Sequence, residues 1–153
     1  MATHRIISEL GRGAMGVVYR ALHVELSREV ALKLIDPTIV TDQVARARFH
    51  REVRVLAELT HPNIVRVYDS GEFEGRPYFT MEILEGEDLA CRSTDRGSMP
   101  LDEVVPLIVA AADALAYLHE RGHTHRDVKP SNIMVTGEGR LVITDFGLAH
   151  ADG

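Results

Sequence analysis

Four polar side chains in the last third of the chain have the types and spacing that moving a phosphoryl group requires. The run HTHRDVKPSN holds an acid (Asp127), an ammonium (Lys129) and an amide (Asn132) in one short loop. Thirteen residues after Asn132 a second acid, Asp145, follows an apolar run in LVITDFG. Phosphoryl transfer asks for little covalent help from a protein. It needs metal ions held by oxygen ligands, a cation to offset phosphate charge and an acceptor for the hydroxyl proton. This stretch offers a candidate for each, and Pro130 stiffens the loop while removing one N–H.

Two further groups lie near the start. GRGAMG matches G-x-G-x-x-G through Gly11, Gly13 and Gly16, and glycines let backbone N–H groups approach phosphates closely. A dinucleotide site is the rival reading, since Asp36 stands twenty residues beyond Gly16. That reading requires a helix straight after the glycines. The residues that follow, VVYRAL, are β-branched and aromatic and favour a strand, so the glycines belong to a hairpin. The plain alternative is a glycine-rich turn. In VALKLI, strand alternation puts Ala31 and Lys33 on one face and Val30, Leu32 and Leu34 on the other. Glu52 stands beside the apolar stripe of the next helix, where a carboxylate needs a cation. Lys33 is one candidate partner, and Arg48 on the same helix is the surface alternative. Lys33 could also simply reach to solvent.

The elements that position these groups read as sheet, helix, sheet, then helix and loops. RIISEL, VVYRAL and REVALKLI read as strands. Residues 41–59 read as a helix capped by Thr41 or Asp42, with Phe49, Val53 and Leu56 inward. NIVRVYDS and RPYFTMEIL read as two more strands around GEFEG. The polar stretch 85–100 reads as a linker with one short helix. Residues 102–121 form the clearest helix, with a stripe of Val104, Ile108, Ala111, Leu115 and Leu118, and Gly122 just past its end. Pro106 predicts a bend or a ragged start. The fold class is α+β, without βαβ alternation.

The 153 residues suffice for one domain or two small lobes, and 45% hydrophobic with 26% charged content is that of a globular protein. A net charge of −6 gives no footprint for nucleic acid. The one cysteine, Cys91, fits a reducing compartment, and nothing in its surroundings marks it as activated. No apolar run suggests a membrane span or a cleaved leader, so a cytoplasmic location is expected.

Taken in order, GRGAMGVV, VALK, HREV, MEIL, HRDVKPSN and DFG resemble a protein kinase catalytic domain of the Ser/Thr type, most similar to the bacterial receptor-like branch. The resemblance covers essentially the whole chain. It implies a bilobal kinase-like fold, with a five-stranded N-lobe and hinge over residues 1–84 and part of the helical C-lobe over 85–153. It implies ATP and Mg²⁺ as ligands and protein Ser/Thr hydroxyls as acceptors. Gly11, Gly13 and Gly16 would cover the phosphates, and Lys33, braced by Glu52, would hold them. Val18 and Ala31 would lie above adenine and Met134 below it, with Met81 as gatekeeper. Backbone of Glu82 and Leu84 would bond the adenine edge, and Asp88 would lie near the ribose. Asp127 would accept the hydroxyl proton, Lys129 would steady the phosphoryl group, and Asn132 and Asp145 would bind Mg²⁺. His125, Phe146, Leu56 and Val67 would stack as a packing column. Thr124 departs from the usual Ile or Val.

The family pattern continues past DFG with an activation segment, an APE-like anchor and further helices. Their absence predicts a fragment whose 102–121 helix lacks part of its cover and is open to self-association. The alternatives to a Ser/Thr kinase are a nucleotide-binding remnant or interaction module without catalysis, and a small-molecule phosphotransferase of related fold. Arg126 and Lys129 around Asp127 fit the last of these less well.

Overall fold

The computed structural model describes residues 3–13, 15–123, 125 and 128–144, with backbone alone at Arg96. The described chain forms two compact units. One comprises residues 3–59 and Arg66–Ile83, the other Thr60–Val65 and residues 84–144.

The first unit is a five-stranded antiparallel sheet with one helix. Its strands are β1 (His4–Gly13), β2 (Gly16–His23), β3 (Arg28–Ile35), β4 (Val67–Phe73) and β5 (Arg76–Met81), in the order β1-β2-β3-β5-β4. The pleat separates two faces, as the alternation in VALKLI predicts. Val17, Tyr19 and Ala21 lie opposite Leu34, Leu32 and Val30, and Ala21, Val30, Leu32, Leu34 and Tyr78 build a core cluster on that face, with Tyr19 packed against it. The other face carries the rows Gly11–Val18–Lys33–Phe79 and Arg20–Ala31–Met81. Helix α1 (Gln43–Ala57) packs there with Phe49, Val53 and Leu56 buried, and its Phe49 ring lies 6.2 Å from that of Phe79.

Asp42 is the residue that caps α1, its carboxylate accepting from the Ala45 N–H at 2.8 Å. Two basic residues of the helix reach across to β4. His50 bonds Ser70 at 2.8 Å, and Arg46 lies 3.6 Å from the Glu72 carboxylate, both partners being on β4. The β4–β5 connection tightens to Glu74-Gly75. Both residues have positive φ, 49° and 76°, as the right-handed twist of a two-residue hairpin requires.

The second unit holds a small sheet, β6 (Gly86–Asp88), β7 (Ile133–Thr136) and β8 (Leu141–Ile143), in the order β6-β7-β8. Beside it lie α2 (Leu89–Arg96) and α3 (Leu101–Glu120), and a 3-10 turn, Pro130–Asn132, precedes β7. The stretch expected to be a linker with one short helix contains that helix, α2, and in addition the strand β6. Gly86 permits this, because a Cβ there would stand 2.1 Å from the Val135 carbonyl oxygen. The strand expected over 63–70 is divided. Ile64 and Val65 join β8, through Val65 N–H to Ile143 O at 3.0 Å and Ile143 N–H to Asn63 O at 2.9 Å, and β4 begins only at Val67. Asn63 Nδ2 adds a bond to Leu141 O at 2.9 Å, Thr60 N–H donates to the Tyr117 hydroxyl at 3.0 Å, and His61 lies 3.1 Å from Asp113.

Helix α3 starts at Leu101 and continues through Pro106 without a ragged first turn, Glu103 and Val104 both donating to Pro100 O at 3.0 Å. Gly122 closes the helix with φ 77°, its N–H donating to His119 O at 3.0 Å. The inward face overlaps the expected stripe only in part. Leu118, a member of that stripe, is fully buried, but so is Ala114 outside it, whereas Ile108 is 60% exposed. Small Ala114 allows close approach to the sheet, and the helix turns that side inward at the expense of the bulkier Ile108. Leu101, Val105 and Val109 are exposed as well. Among the described residues no helix is long and apolar enough to cross a membrane.

His4, at the start of β1, is buried and stands edge-on to His23 at 4.7 Å and Tyr78 at 5.8 Å. Its Nδ1 lies 3.0 Å from the Thr3 hydroxyl, and its Nε2 has no hydrogen-bond partner among the described residues. Burial holds the imidazole below its ordinary value of 6.5, against the pull of the Asp69 carboxylate, while His23 acts in the same direction as burial. Below pH 6.5 the unfolded chain takes up a proton that the folded chain resists, so stability falls as the pH drops. Urea unfolding of the parent and His4→Phe between neutral and mildly acid pH is expected to show a shallower acid-side loss in the variant. Removing the α1 cap with Asp42→Ala is expected to cost about 1 kcal/mol in the same measurement.

Candidate active site

Strand β3, paired on both sides, carries Lys33 in a fixed pleat position. Its residue is only 7% exposed, among the rows that also present Val18 and Ala31. A long cationic side chain this buried is expensive unless charge or hydrogen bonds meet it. Ala31 and Met81 are cross-strand neighbours, both buried, and Val18, half-buried, lies between Gly11 and Lys33.

The glycine motif forms the tip of the β1–β2 hairpin, with Gly13 opposite Gly16, so the strand expected after the glycines is present. The three glycines are not equivalent. Gly16 has φ 148°, and a Cβ there would stand 2.1 Å from the Leu34 carbonyl oxygen, so the fold itself requires glycine. At Gly11 and Gly13 a Cβ would meet nothing within 4 Å, and both residues are exposed. The hairpin has no steric need for them.

Glu52 is half-buried on α1 beside Val53. The two cations that the sequence offers it, Lys33 and Arg48, both make further interactions. Glu82 just beyond β5 is tied to Arg66. Its N–H donates to Arg66 O at 2.8 Å, and its carboxylate accepts from Arg66 N–H at 2.9 Å.

In the second unit Leu84 and Met134 are half-buried, and Met134 lies opposite Asp88 in the β6–β7 ladder. Asp88 caps α2. One carboxylate oxygen accepts from Cys91 N–H at 2.8 Å, and the other faces the Cys91 thiol at 3.6 Å. The negative charge of Asp88 raises the Cys91 pKa, and the hydrogen bond adds to it, which disfavours the reactive thiolate. Lys129 is exposed at the head of the 3-10 turn, where its carbonyl accepts from Asn132 N–H at 2.9 Å. Asn132 is 5% exposed.

Thr144 locks this region. Its N–H donates to Asn132 O at 2.8 Å, its hydroxyl donates to the same oxygen at 3.3 Å, and its carbonyl lies 2.7 Å from His125 Nε2. A carbonyl only accepts, so Nε2 carries the proton. His125 is 1% exposed and acts through packing and this bond. Sequence reading missed the Thr144 clamp, and the only available signal was a polar residue ending the LVIT run. Asp127 and Asp145 lie outside the described residues, as do Thr124, Arg126 and Phe146. Leu56 and Val67 are buried within the first unit.

Residues 4–151 match the protein kinase domain family. The chain belongs to that family. It is 43% identical over 150 residues to the serine/threonine-protein kinase PknF of Mycobacterium tuberculosis, covering 94% of this chain and 32% of PknF. To the serine/threonine-protein kinase PknI of the same organism it is 39% identical over 154 residues, covering 97% of this chain and 26% of PknI. The crystal structure of the PknI kinase domain superposes with a TM-score of 0.88 at 39% identity, covering 97% of this chain and 61% of that domain. This kinase chain thus spans about a third or less of these curated relatives.

The unequal glycines give a direct check. Gly16→Ala is expected to destabilise the fold by about 2 kcal/mol or more through strain and collision with Leu34 O. Gly11→Ala and Gly13→Ala are expected to leave the thermal midpoint near that of the parent in differential scanning fluorimetry.

Proposed function

We propose that the chain is the catalytic part of a Ser/Thr protein kinase, transferring the γ-phosphoryl group of ATP to a protein hydroxyl. The observation that carries this reading is the pair Gly11 and Gly13. Their lack of side chains has no use inside the hairpin, and they share a sheet edge with the row that leads through Val18 to Lys33. Bare backbone next to a buried ammonium suits the close approach of phosphates.

In this reading Val18 and Ala31 offer the apolar surface for adenine from above and Met134 from below, and Met81 bounds the pocket behind. Glu82 offers its carbonyl to the base edge, its N–H being held by Arg66 O, and Leu84 offers backbone as well. Asp88 serves the ribose. Lys33 offsets charge on the α- and β-phosphates. The acceptor hydroxyl attacks the γ-phosphorus as its proton passes to Asp127, the bond to the β-phosphate oxygen breaks, and ADP leaves. Lys129 offsets charge on the moving group. An amide oxygen and a carboxylate, Asn132 and Asp145, are hard donors suited to Mg²⁺, which when bound neutralises phosphate charge. The Thr144 clamp holds the backbone of Asn132 and of the residue preceding Asp145 together, consistent with that donor set. A cytoplasmic site of action fits this chemistry.

A second reading is nucleotide binding without efficient transfer. The two are separated by titrating Mg·ATP and assaying a Ser/Thr peptide. The expected result is measurable Mg·ATP binding, weakened roughly ten- to hundredfold by Lys33→Ala, as the loss of charge-assisted bonds worth about 1.5–3 kcal/mol implies. Peptide phosphorylation by the 153 residues is expected to be low, and lost in Asp127→Ala. Equal affinity of Lys33→Ala and parent would end the first reading.

A further inference from the structure

Glu82 follows the last residue of β5, and Arg66 precedes the first residue of β4. Val67 and Met81 are partners in the β4–β5 ladder, so the antiparallel register sets Arg66 opposite Glu82 as the next pair. Residues bonded across an antiparallel pair exchange two bonds, each N–H donating to the other's main-chain carbonyl. One of the two bonds here is regular, Glu82 N–H donating to Arg66 O at 2.8 Å. The other is not. Arg66 N–H donates to Glu82 Oε1 at 2.9 Å, so a side-chain oxygen stands where the ladder calls for a main-chain one.

The exchange has a chemical basis. An ionised carboxylate holds an N–H more strongly than a neutral carbonyl does. Glu has one methylene more than Asp, which gives it the reach to the facing strand. Arg66 is a firm anchor for the bond, since its Nη1 also donates to Leu59 O at 3.3 Å. All three residues lie in the first unit, and Met81 beside Glu82 is buried in its sheet. A strand end needs no side chain to complete its final pair, because the main-chain carbonyl is at hand. A carboxylate in that place is useful where the carbonyl has another task.

We propose that the Glu82 side chain is a positioning group that selects the nucleotide base. By taking the Arg66 N–H, the carboxylate keeps the Glu82 carbonyl out of the ladder and turned toward the exocyclic amino group of the purine. The carboxylate does not touch the base and acts through the peptide that does. An amino group donates to that carbonyl, whereas an oxo group in its place sets two acceptors against each other. The inference rests on the nucleotide reading above and adds to it the device that sets base preference.

The test is isothermal titration calorimetry of the 153-residue chain, in the presence of Mg²⁺, with ATP and with purine riboside triphosphate, which lacks only the exocyclic amino group. Triphosphate and ribose are common to both, so the ratio of the two affinities isolates the amino contact. In the parent ATP is expected to bind roughly three- to tenfold more tightly, the range of one hydrogen bond. Glu82→Leu, which has no acceptor, and Glu82→Asp, which holds it one methylene short, are expected to bring the ratio close to one. Their affinity for the purine riboside triphosphate is expected to stay within about twofold of the parent, which a general loosening of the fold would not allow. Glu82→Gln, whose amide oxygen reaches as far, is expected to keep the parent ratio. Thermal midpoints identify the folded variants, and the Asp variant decides the matter if the Leu variant does not fold. A parental ratio in a folded Leu or Asp variant, or a ratio lost in the Gln variant, would overturn the proposal. A parent that binds no Mg·ATP would instead end the nucleotide reading on which it rests, so the two failures are distinct.

Discussion

A cation inside a sheet is the constraint around which the first unit is arranged. Strand β3 is paired to β2 along its length and to β5 over residues 31–34, so the side on which Lys33 projects is set by the pleat and cannot be relaxed by local rotation. A one-residue slip would send Lys33 into the cluster of Ala21, Val30, Leu32, Leu34 and Tyr78 and bring those apolar groups out. Register is therefore enforced twice, once by hydrophobic burial and once by the cost of a misplaced charge. The same register aligns Gly11 and Val18 with Lys33, so hairpin and ammonium are set by one ladder of backbone bonds.

In the second unit the comparable device is a hydrogen-bonded knot instead of a sheet face. Thr144 uses its amide, hydroxyl and carbonyl at once, and Asn132 O receives two of those bonds. His125 finishes the knot from a buried position, so its imidazole is fixed as the Nε2–H form by the carbonyl it meets. Buried polar networks of this kind are rigid because every member is needed to satisfy the others. The knot ties the backbone next to one acid in the sequence, Asp145, to that of the amide Asn132.

The first unit was largely legible in the sequence, because its strands alternate and its helix has both an apolar stripe and an Asp cap. The two hairpin tips and the inward row of α1 followed from those patterns alone. Other parts were illegible for definite reasons. Strand β6 has three residues, all polar or glycine, and owes its existence to a close backbone approach at Gly86 that no periodicity signals. The face of α3 was legible only at Leu118, because side-chain bulk points to Ile108 whereas packing distance selects Ala114. For the site, the motif residues were found by spacing, but spacing did not separate Gly16, which the fold needs, from Gly11 and Gly13, which it does not. Nor did it show that Asp88 would spend its carboxylate on a helix cap.

The excursion at Thr60–Val65 also bears on how the chain can be divided. The segment leaves the first unit after Leu59, bonds along β8, and returns at Arg66, whose guanidinium closes the neck on the Leu59 carbonyl at 3.3 Å. Cutting the polypeptide at the join between Ile83 and Leu84 would therefore not yield two self-sufficient pieces. The amino-terminal piece would carry away an edge segment belonging to the other sheet, with Ile64 and Val65 stripped of cover and Asn63 of its amide partner, while β8 would be left with a bare margin open to foreign strands. The halves are laced through one another in sequence, and evolution could exchange neither by simple fusion at a single seam.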